Sequence, residues 1–366
     1  MHWPFKQHKT ARNIKIFPHH EIFKKSGACS GVSGGYERPM WFSMDNQEPK
    51  YNYSYRYQNW YPSVEFETKN CRKNVGLFDL TPFSKFELKG DKAFEELQRI
   101  CTANIKNEPG KCVYTQMLNN DGGIEADVTI VCLERNYFRI ISSAATRERD
   151  KFHINKNLTT NIELSDVTDK YCVFGLFGPK SRELISRISK ENFSNKNFKF
   201  ATGKKIKINN VDTWVQRLSY VGELGYEIYV EFDKAVEIYS LLINEGKKYN
   251  ISNCGMHSLD IMRMENGFLH WGHDISPEEN QYQAGLEFAI SFKKNVDFIG
   301  KDSLLKIKDS KINKRLMMFR LKDTKPGEPL LLHDEPIYLD KKIIGRTTSG
   351  NYLSLIHISE PTRHRL

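Results

Sequence analysis

Tyr114-Thr115-Gln116-Met117-Leu118-Asn119-Asn120-Asp121-Gly122-Gly123-Ile124-Glu125-Ala126-Asp127 is the stretch on which the reading of this chain turns. Asn, Asp and Gly tolerate positive φ. Residues 119–123, set between the apolar runs 113–118 and 128–133, therefore predict a β-hairpin. Such a hairpin carries Tyr114 on one strand and Asp127 at the start of the other. An acid at a strand edge, partly desolvated, can hold or move a proton on a basic nitrogen. The same acid can also serve simply as a cap for the turn.

Working outward, residues 83–88 alternate apolar and polar positions, which predicts a half-buried strand. Gly90 ends it, and Asp91 is placed to cap a helix over 92–101. Residues 138–141 and 171–177 predict further strands. Gly178-Pro179 then opens a helix over 180–188, because Pro suits a first helical turn. Strands at 214–218 and 226–232 flank the turn Gly222-Glu223-Leu224-Gly225, and helices follow over 235–249 and 256–267. This rhythm predicts an α+β fold with layered helices and sheets. Residues 1–42 read as a basic connector, residues 43–62 as an extended linker anchored by aromatic residues, and residues 315–348 as short strands and turns of a small β domain.

Composition limits the functional classes. The 366 residues are 39% hydrophobic and 27% charged, a globular balance. No apolar run approaches the roughly 18 residues a membrane helix needs, so no membrane role is expected. The formal charge of +10 comes from scattered Lys and Arg. A solvated basic surface is expected rather than nucleic-acid binding, and it also suits a polyanionic small molecule. The seven cysteines include no CxxC pair, so buried reduced thiols and a reducing compartment are expected. No GxGxxG follows a strand, so no Rossmann-type flavin or nicotinamide site is expected in this chain. His270 and His273 are spaced H-x-x-H, but Asp274 is a weak third ligand, and no metal site is expected.

The hairpin resembles the folate-binding hairpin of the glycine-cleavage aminomethyltransferase family. The likeness continues through Tyr220-Val221-Gly222-Glu223-Leu224-Gly225-Tyr226-Glu227-Ile228, Arg263-Met264-Glu265-Asn266-Gly267-Phe268, Trp271-Gly272-His273-Asp274-Ile275, Glu287 and Asp297-Phe298-Ile299-Gly300-Lys301. Thr10-Ala11-Arg12, Gly35-Tyr36-Glu37-Arg38-Pro39-Met40-Trp41-Phe42, Gln58-Asn59-Trp60-Tyr61-Pro62 and Gly76-Leu77-Phe78-Asp79 resemble the branch fused behind a flavin amine dehydrogenase. That branch includes dimethylglycine and sarcosine dehydrogenases and the regulatory subunit of pyruvate dehydrogenase phosphatase.

The resemblance implies an aminomethyltransferase-like folate-binding domain over residues 63–312. Residues 1–62 would be the tail of a missing FAD-binding part, and residues 313–352 the start of a truncated small β-barrel domain. It further implies tetrahydrofolate as cofactor, FAD only in the missing part, and an iminium or methylamine as substrate. Asp127 falls at the acid beside the reactive folate nitrogens, and Tyr114 at an aromatic position lining the pocket. Glu227 falls at the acid that accepts from the pterin N–H groups, and Phe200 at an aromatic position near the pterin. A plain core residue is the alternative for Phe200. Two departures stand out: Leu259 replaces an arginine of the glycine-cleavage enzymes, and Ala126 replaces one of two adjacent acids.

The family implies the mitochondrial matrix, with the cytoplasm as alternative, since no targeting segment is visible. A non-catalytic regulatory module is the rival function. Residues 353–366 resemble a translated sequencing adapter and are expected to lie outside the natural protein.

Overall fold

The computed structural model of the chain describes residues 5–44, 47–322, 328 and 330–351. The expected adapter segment, 353–366, lies outside the described residues. The strands are β1 (Ala28–Ser33), β2 (Tyr36–Phe42), β3 (Val75–Asp79), β4 (Ser84–Lys89), β5 (Cys112–Leu118), β6 (Ile124–Glu134), β7 (Tyr137–Ser142), β8 (Leu164–Asp166), β9 (Tyr171–Phe177), β10 (Gly203–Ile208), β11 (Val211–Gln216), β12 (Gly225–Glu231), β13 (Ile251–Cys254), β14 (Pro336–Leu339) and β15 (Lys342–Arg346). The helices are α1 (His20–Lys25), α2 (Tyr61–Lys73), α3 (Ala93–Ile100), α4 (Arg147–Asn157), α5 (Ser181–Ile188), α6 (Ala235–Gly246), α7 (Met256–Glu265), α8 (Gln281–Ala284) and α9 (Lys301–Lys308).

Two sheets carry the architecture. One has six strands in the order β10-β11-β12-β9-β3-β13, and the other five in the order β5-β6-β7-β4-β8. Only β13 and β3 run parallel among the described pairs; the other ladders are antiparallel. Alternation along each strand divides the side chains between two faces. Cys172, Phe174, Leu176, Tyr226, Ile228 and Val230 point outward from the larger sheet and pack with Leu184, Ile185, Ile238 and Leu242 of α5 and α6. Phe86, Leu88, Val128, Ile130, Phe138 and Ile140 point outward from the smaller sheet onto Ala93, Leu97 and Ile100 of α3. The inner faces share a third cluster, in which Ile141 and Phe83 meet Val173, Phe177, Trp214 and Tyr229.

The hairpin forms as its sequence dictates. Asn119 Oδ1 accepts from the N–H groups of Asp121 (3.0 Å) and Gly123 (2.9 Å), and Gly122 adopts φ +87°. A Cβ on Gly123 would lie 2.1 Å from the Pro277 carbonyl, so only glycine fits there. Two readings differ from the structure. Asp91 does not cap α3: the helix begins after Lys92, without a side-chain cap. The stretch read as a connector contributes α1 and the β1–β2 hairpin, and it buries Phe17, Phe23, Tyr36 and Trp41. Those aromatics remove enough apolar surface from water to fix the segment against the main core.

Of the expected linker, Tyr51, Tyr53 and Trp60 pack on one another, and Tyr51 and Trp60 meet His257. Of the expected C-terminal β domain, the described residues show the β14–β15 hairpin and an extended segment, and no closed barrel. No helix among the described residues is long and apolar enough to cross a membrane. All seven cysteines are free and buried.

Candidate functional site

Register places the candidate acids on facing surfaces. Gln116 pairs with Asp127, Tyr114 with Thr129 and Cys112 with Val131. Opposite residues in a ladder share a face, so Cys112, Tyr114, Gln116 and Asp127 stand together on the inner face of the smaller sheet. In the larger sheet Glu227 pairs with Gln216 on one side and Gly175 on the other, two positions from Tyr229 and Val173 on the inner face. A cation–π contact joins the two sheets beside Glu227. The Arg139 guanidinium, on the smaller sheet, lies 5.3 Å from the ring centre of Tyr229, and Tyr229 donates its hydroxyl to Glu227 at 3.1 Å. The Cys112 thiol is pushed upward in pKa mainly by burial and further by the Glu227 charge.

Along β5, Cys112 therefore marks the Glu227 end and Gln116 the Asp127 end. Four strand residues, or roughly 13 Å, separate them. Tyr114 lies between them along the strand and is 38% exposed, so this part of the inner face reaches solvent.

Each acid is half-buried and held by its own donors. Asp127 accepts from Gln116 Nε2 at 2.8 Å and from the Tyr114 hydroxyl. Burial pushes its carboxyl up to about 6 against these bonds, and the nearby Asp150 charge adds to the rise. Glu227 accepts from Gln216 Nε2 at 2.7 Å and from Tyr229, and burial again raises it above the usual range. At about 6, the Asp127 carboxyl can take or release a proton near neutrality, as acid–base work requires. A buried carboxylate with one free oxygen edge also binds paired N–H donors strongly.

Phe200 is 68% exposed, which removes the core alternative for it. It precedes Ala201, whose carbonyl accepts from the Cys112 N–H at 3.0 Å, so it stands at the Glu227 end of β5. Leu259 lies in the shared core, 3% exposed. The rings of His270 and His273 lie 4.5 Å apart and tilted to each other, while Asp274 is engaged by Arg263, Thr348, Ser349 and the His270 N–H. Trp271 donates to the Ile124 carbonyl at 3.0 Å and lies under the Arg149 guanidinium, so it supports the hairpin. Glu223 pairs with Arg72 at 2.7 Å, and the Tyr220 hydroxyl donates to the Leu269 carbonyl at 2.5 Å.

Sequence reasoning missed several residues at the site. Gln116 and Gln216 hold the two acids, Gln281 holds Gln116, and Phe288, 76% exposed, stacks on Tyr114 at 6.1 Å. An amide side chain opposite each acid in an alternating strand was the available signal for the first two.

Two clefts elsewhere are lined by other residues. One of about 340 Å³ lies between the hairpin turn and α4, beside Arg149 and His153. The other, about 820 Å³, is a basic cleft between residues 6–13 and α1.

Residues 19–294 match the family described as GCVT N-terminal domain. The chain is 39% identical over 353 residues to a 4-methylaminobutanoate oxidase (formaldehyde-forming) of Paenarthrobacter nicotinovorans, covering 96% of this chain and 42% of that protein. It is 32% identical over 330 residues to human mitochondrial dimethylglycine dehydrogenase, covering 88% of this chain and 37% of that one. The chain thus spans about two-fifths of the length of these relatives. The fold is similar to that of glycine cleavage system aminomethyltransferase T from Bartonella henselae, with a TM-score of 0.67, 21% identity, and coverage of 80% of this chain and 74% of that one. The chain belongs to the GCVT aminomethyltransferase-type family, in the branch that includes dimethylglycine dehydrogenase-like proteins.

Proposed function

We propose that this chain binds tetrahydrofolate between its two sheets and transfers a one-carbon unit to it. The observation that carries the reading is the pair of donor-held carboxylates, Asp127 and Glu227, each half-buried on the inner face of its sheet, with the exposed Tyr114 on the same face as Asp127. Glu227 would grip the pterin edge by accepting from two N–H groups. Tyr114 and Phe200 would cover its rings. Asp127 would stand at the nitrogens that react.

Tetrahydrofolate would supply the nucleophile: with an iminium its nitrogens would give 5,10-methylenetetrahydrofolate, the free amine and one proton, and with formaldehyde the same product and water. Asp127, held at about 6 by burial, would receive that proton or steady the cationic intermediate. Holding both reactants in one gap accounts for several kcal/mol of rate enhancement in principle. The carbon donor would come from a flavin-dependent oxidation of an N-methylamine, with FAD bound elsewhere. A formaldehyde-forming relative fits such chemistry, since an uncaptured iminium hydrolyses to formaldehyde. Two acids retained with their donors favour catalysis over a purely regulatory role. The mitochondrial matrix is the proposed location, in keeping with the human relative.

Calorimetric titration with tetrahydrofolate tests the reading. The wild-type chain should bind, and Glu227→Gln should weaken binding about tenfold, the loss expected when one charge-assisted contact becomes neutral. With formaldehyde added, Asp127→Ala should lose the acceleration over spontaneous condensation. A folded wild-type chain with no folate affinity overturns the proposal.

A further inference from the structure

Behind Asp127 runs a chain of buried amides. Gln116 Nε2 donates to Asp127 Oδ1 at 2.8 Å. Gln116 Oε1 in turn accepts from Gln281 Nε2 at 2.5 Å, and the same Nε2 also lies 3.1 Å from Thr102 Oγ1. Gln116, Gln281 and Thr102 are all 0% exposed. Gln281 Oε1 has no hydrogen-bond partner among the described residues. An orphaned buried carbonyl costs roughly 1–3 kcal/mol, so the arrangement calls for a reason. Turning Gln281 over would bring its Oε1 against Gln116 Oε1. Turning Gln116 as well would bring an oxygen against the Asp127 carboxylate. The polarity of the whole chain is therefore set by the need to present N–H to Asp127.

The backbone holds Gln281 for this purpose. It opens the short helix α8, which is fixed by a reciprocal capping box between Asn280 and Gln283. Its own carbonyl accepts from the Leu286 N–H at 2.8 Å. The segment is stitched to β5 through Thr102: the Thr102 hydroxyl donates to the Ala289 carbonyl and the Ser291 N–H donates to the Thr102 carbonyl, both at 3.0 Å. The same segment lays Phe288 on Tyr114, so both ring and carboxylate at this end of the gap depend on it.

We infer that Gln281 is a positioning residue for Asp127: by donating to Gln116 it locks that amide with its N–H toward the carboxylate and keeps Asp127 ready to ionise. That Asp127 performs chemistry rests on the function proposed above; the lock itself does not. The groups facing Asp127 are Tyr114 and Gln116 from β5, Tyr220 from the turn before β12, and Asp150 from α4. None of these is a cation, so the neutral donors carry the stabilisation of the charged form.

The test is the Asp127 carboxyl titration, followed by carbon-detected NMR and assigned by comparison with Asp127→Asn, in the wild-type chain, Gln281→Met and Gln281→Glu. Gln281→Met removes the lock, and the Asp127 midpoint should rise by roughly one pH unit. Gln281→Glu turns the donor into an acceptor, drawing the Gln116 N–H away, and should raise the midpoint further. Thr102→Val, which loosens Gln281 from outside, should give a smaller rise and decides the matter if the Gln281 variants do not fold. The pH midpoint of tetrahydrofolate affinity, measured in parallel, should rise in step. Unchanged Asp127 midpoints in folded variants overturn the inference even if folate binds. Shifted midpoints with no folate binding by wild type support the lock while overturning the proposed function.

Discussion

Replacing Asp127 by Asn should make the protein more stable at neutral pH. The carboxyl is held up to about 6 by burial, against about 3.8 in an unfolded chain. Between those two values the folded state binds more protons than the unfolded state. Stability therefore falls as pH rises through the window from about 4 to 6, and the cost persists above it. A separation of about 2 pH units corresponds to about 3 kcal/mol at most. Asn keeps the shape and an oxygen to accept from Gln116 Nε2, but it carries no charge to desolvate. Urea unfolding of wild type and Asp127→Asn at pH 8, 5 and 4 reads the effect. The variant should gain up to about 3 kcal/mol at pH 8, about half of that at pH 5, and little at pH 4. A gain independent of pH, or a loss at pH 8, would refute the reasoning, because the desolvated charge would then not be the cause. Such stored instability is what a functional carboxyl in a half-buried site is expected to carry.

Three further outcomes follow from particular contacts. Glu67 is 1% exposed and accepts from the N–H groups of Phe42 (2.7 Å) and Gly255 (2.8 Å) and from the Ser258 hydroxyl, so Glu67→Ala should cost about 2–4 kcal/mol by urea unfolding. Gly178 has φ +124° and a Cβ there would meet the Asn74 carbonyl at 2.4 Å, so Gly178→Ala should lower the melting temperature by several degrees. Phe200→Ala should leave the melting temperature within about 2 °C, since the ring is 68% exposed, while weakening tetrahydrofolate binding several-fold in calorimetry.

The local parts of this protein were legible because their signals are local. The turn from Asn119 to Gly123 needs side chains that tolerate its backbone, and those residues are present. The run from Tyr171 to Phe177 is apolar on both faces because β9 is covered on both. Asp127 was legible as an acid opening a hairpin strand and Glu227 through the family resemblance, and the register puts each on the inner face of its own sheet. Long-range partners were not legible. Gln281 meets Gln116 across 165 residues of chain, and nothing in either neighbourhood announces the other. The first 42 residues looked like a connector because their aromatics are spaced irregularly, whereas their burial depends on a core supplied by β9, α5 and α6. Phe200 was ambiguous for the opposite reason: hydrophobicity alone does not tell a core ring from one presented to a ligand.

The most direct measurement is a crystal structure of this chain grown with tetrahydrofolate. The pterin should lie between the two sheets, its N–H edge on Glu227, its plane against Tyr114, and its reactive nitrogens toward Asp127. A ligand bound in either outer cleft, with the gap between the acids left as water, would contradict that placement.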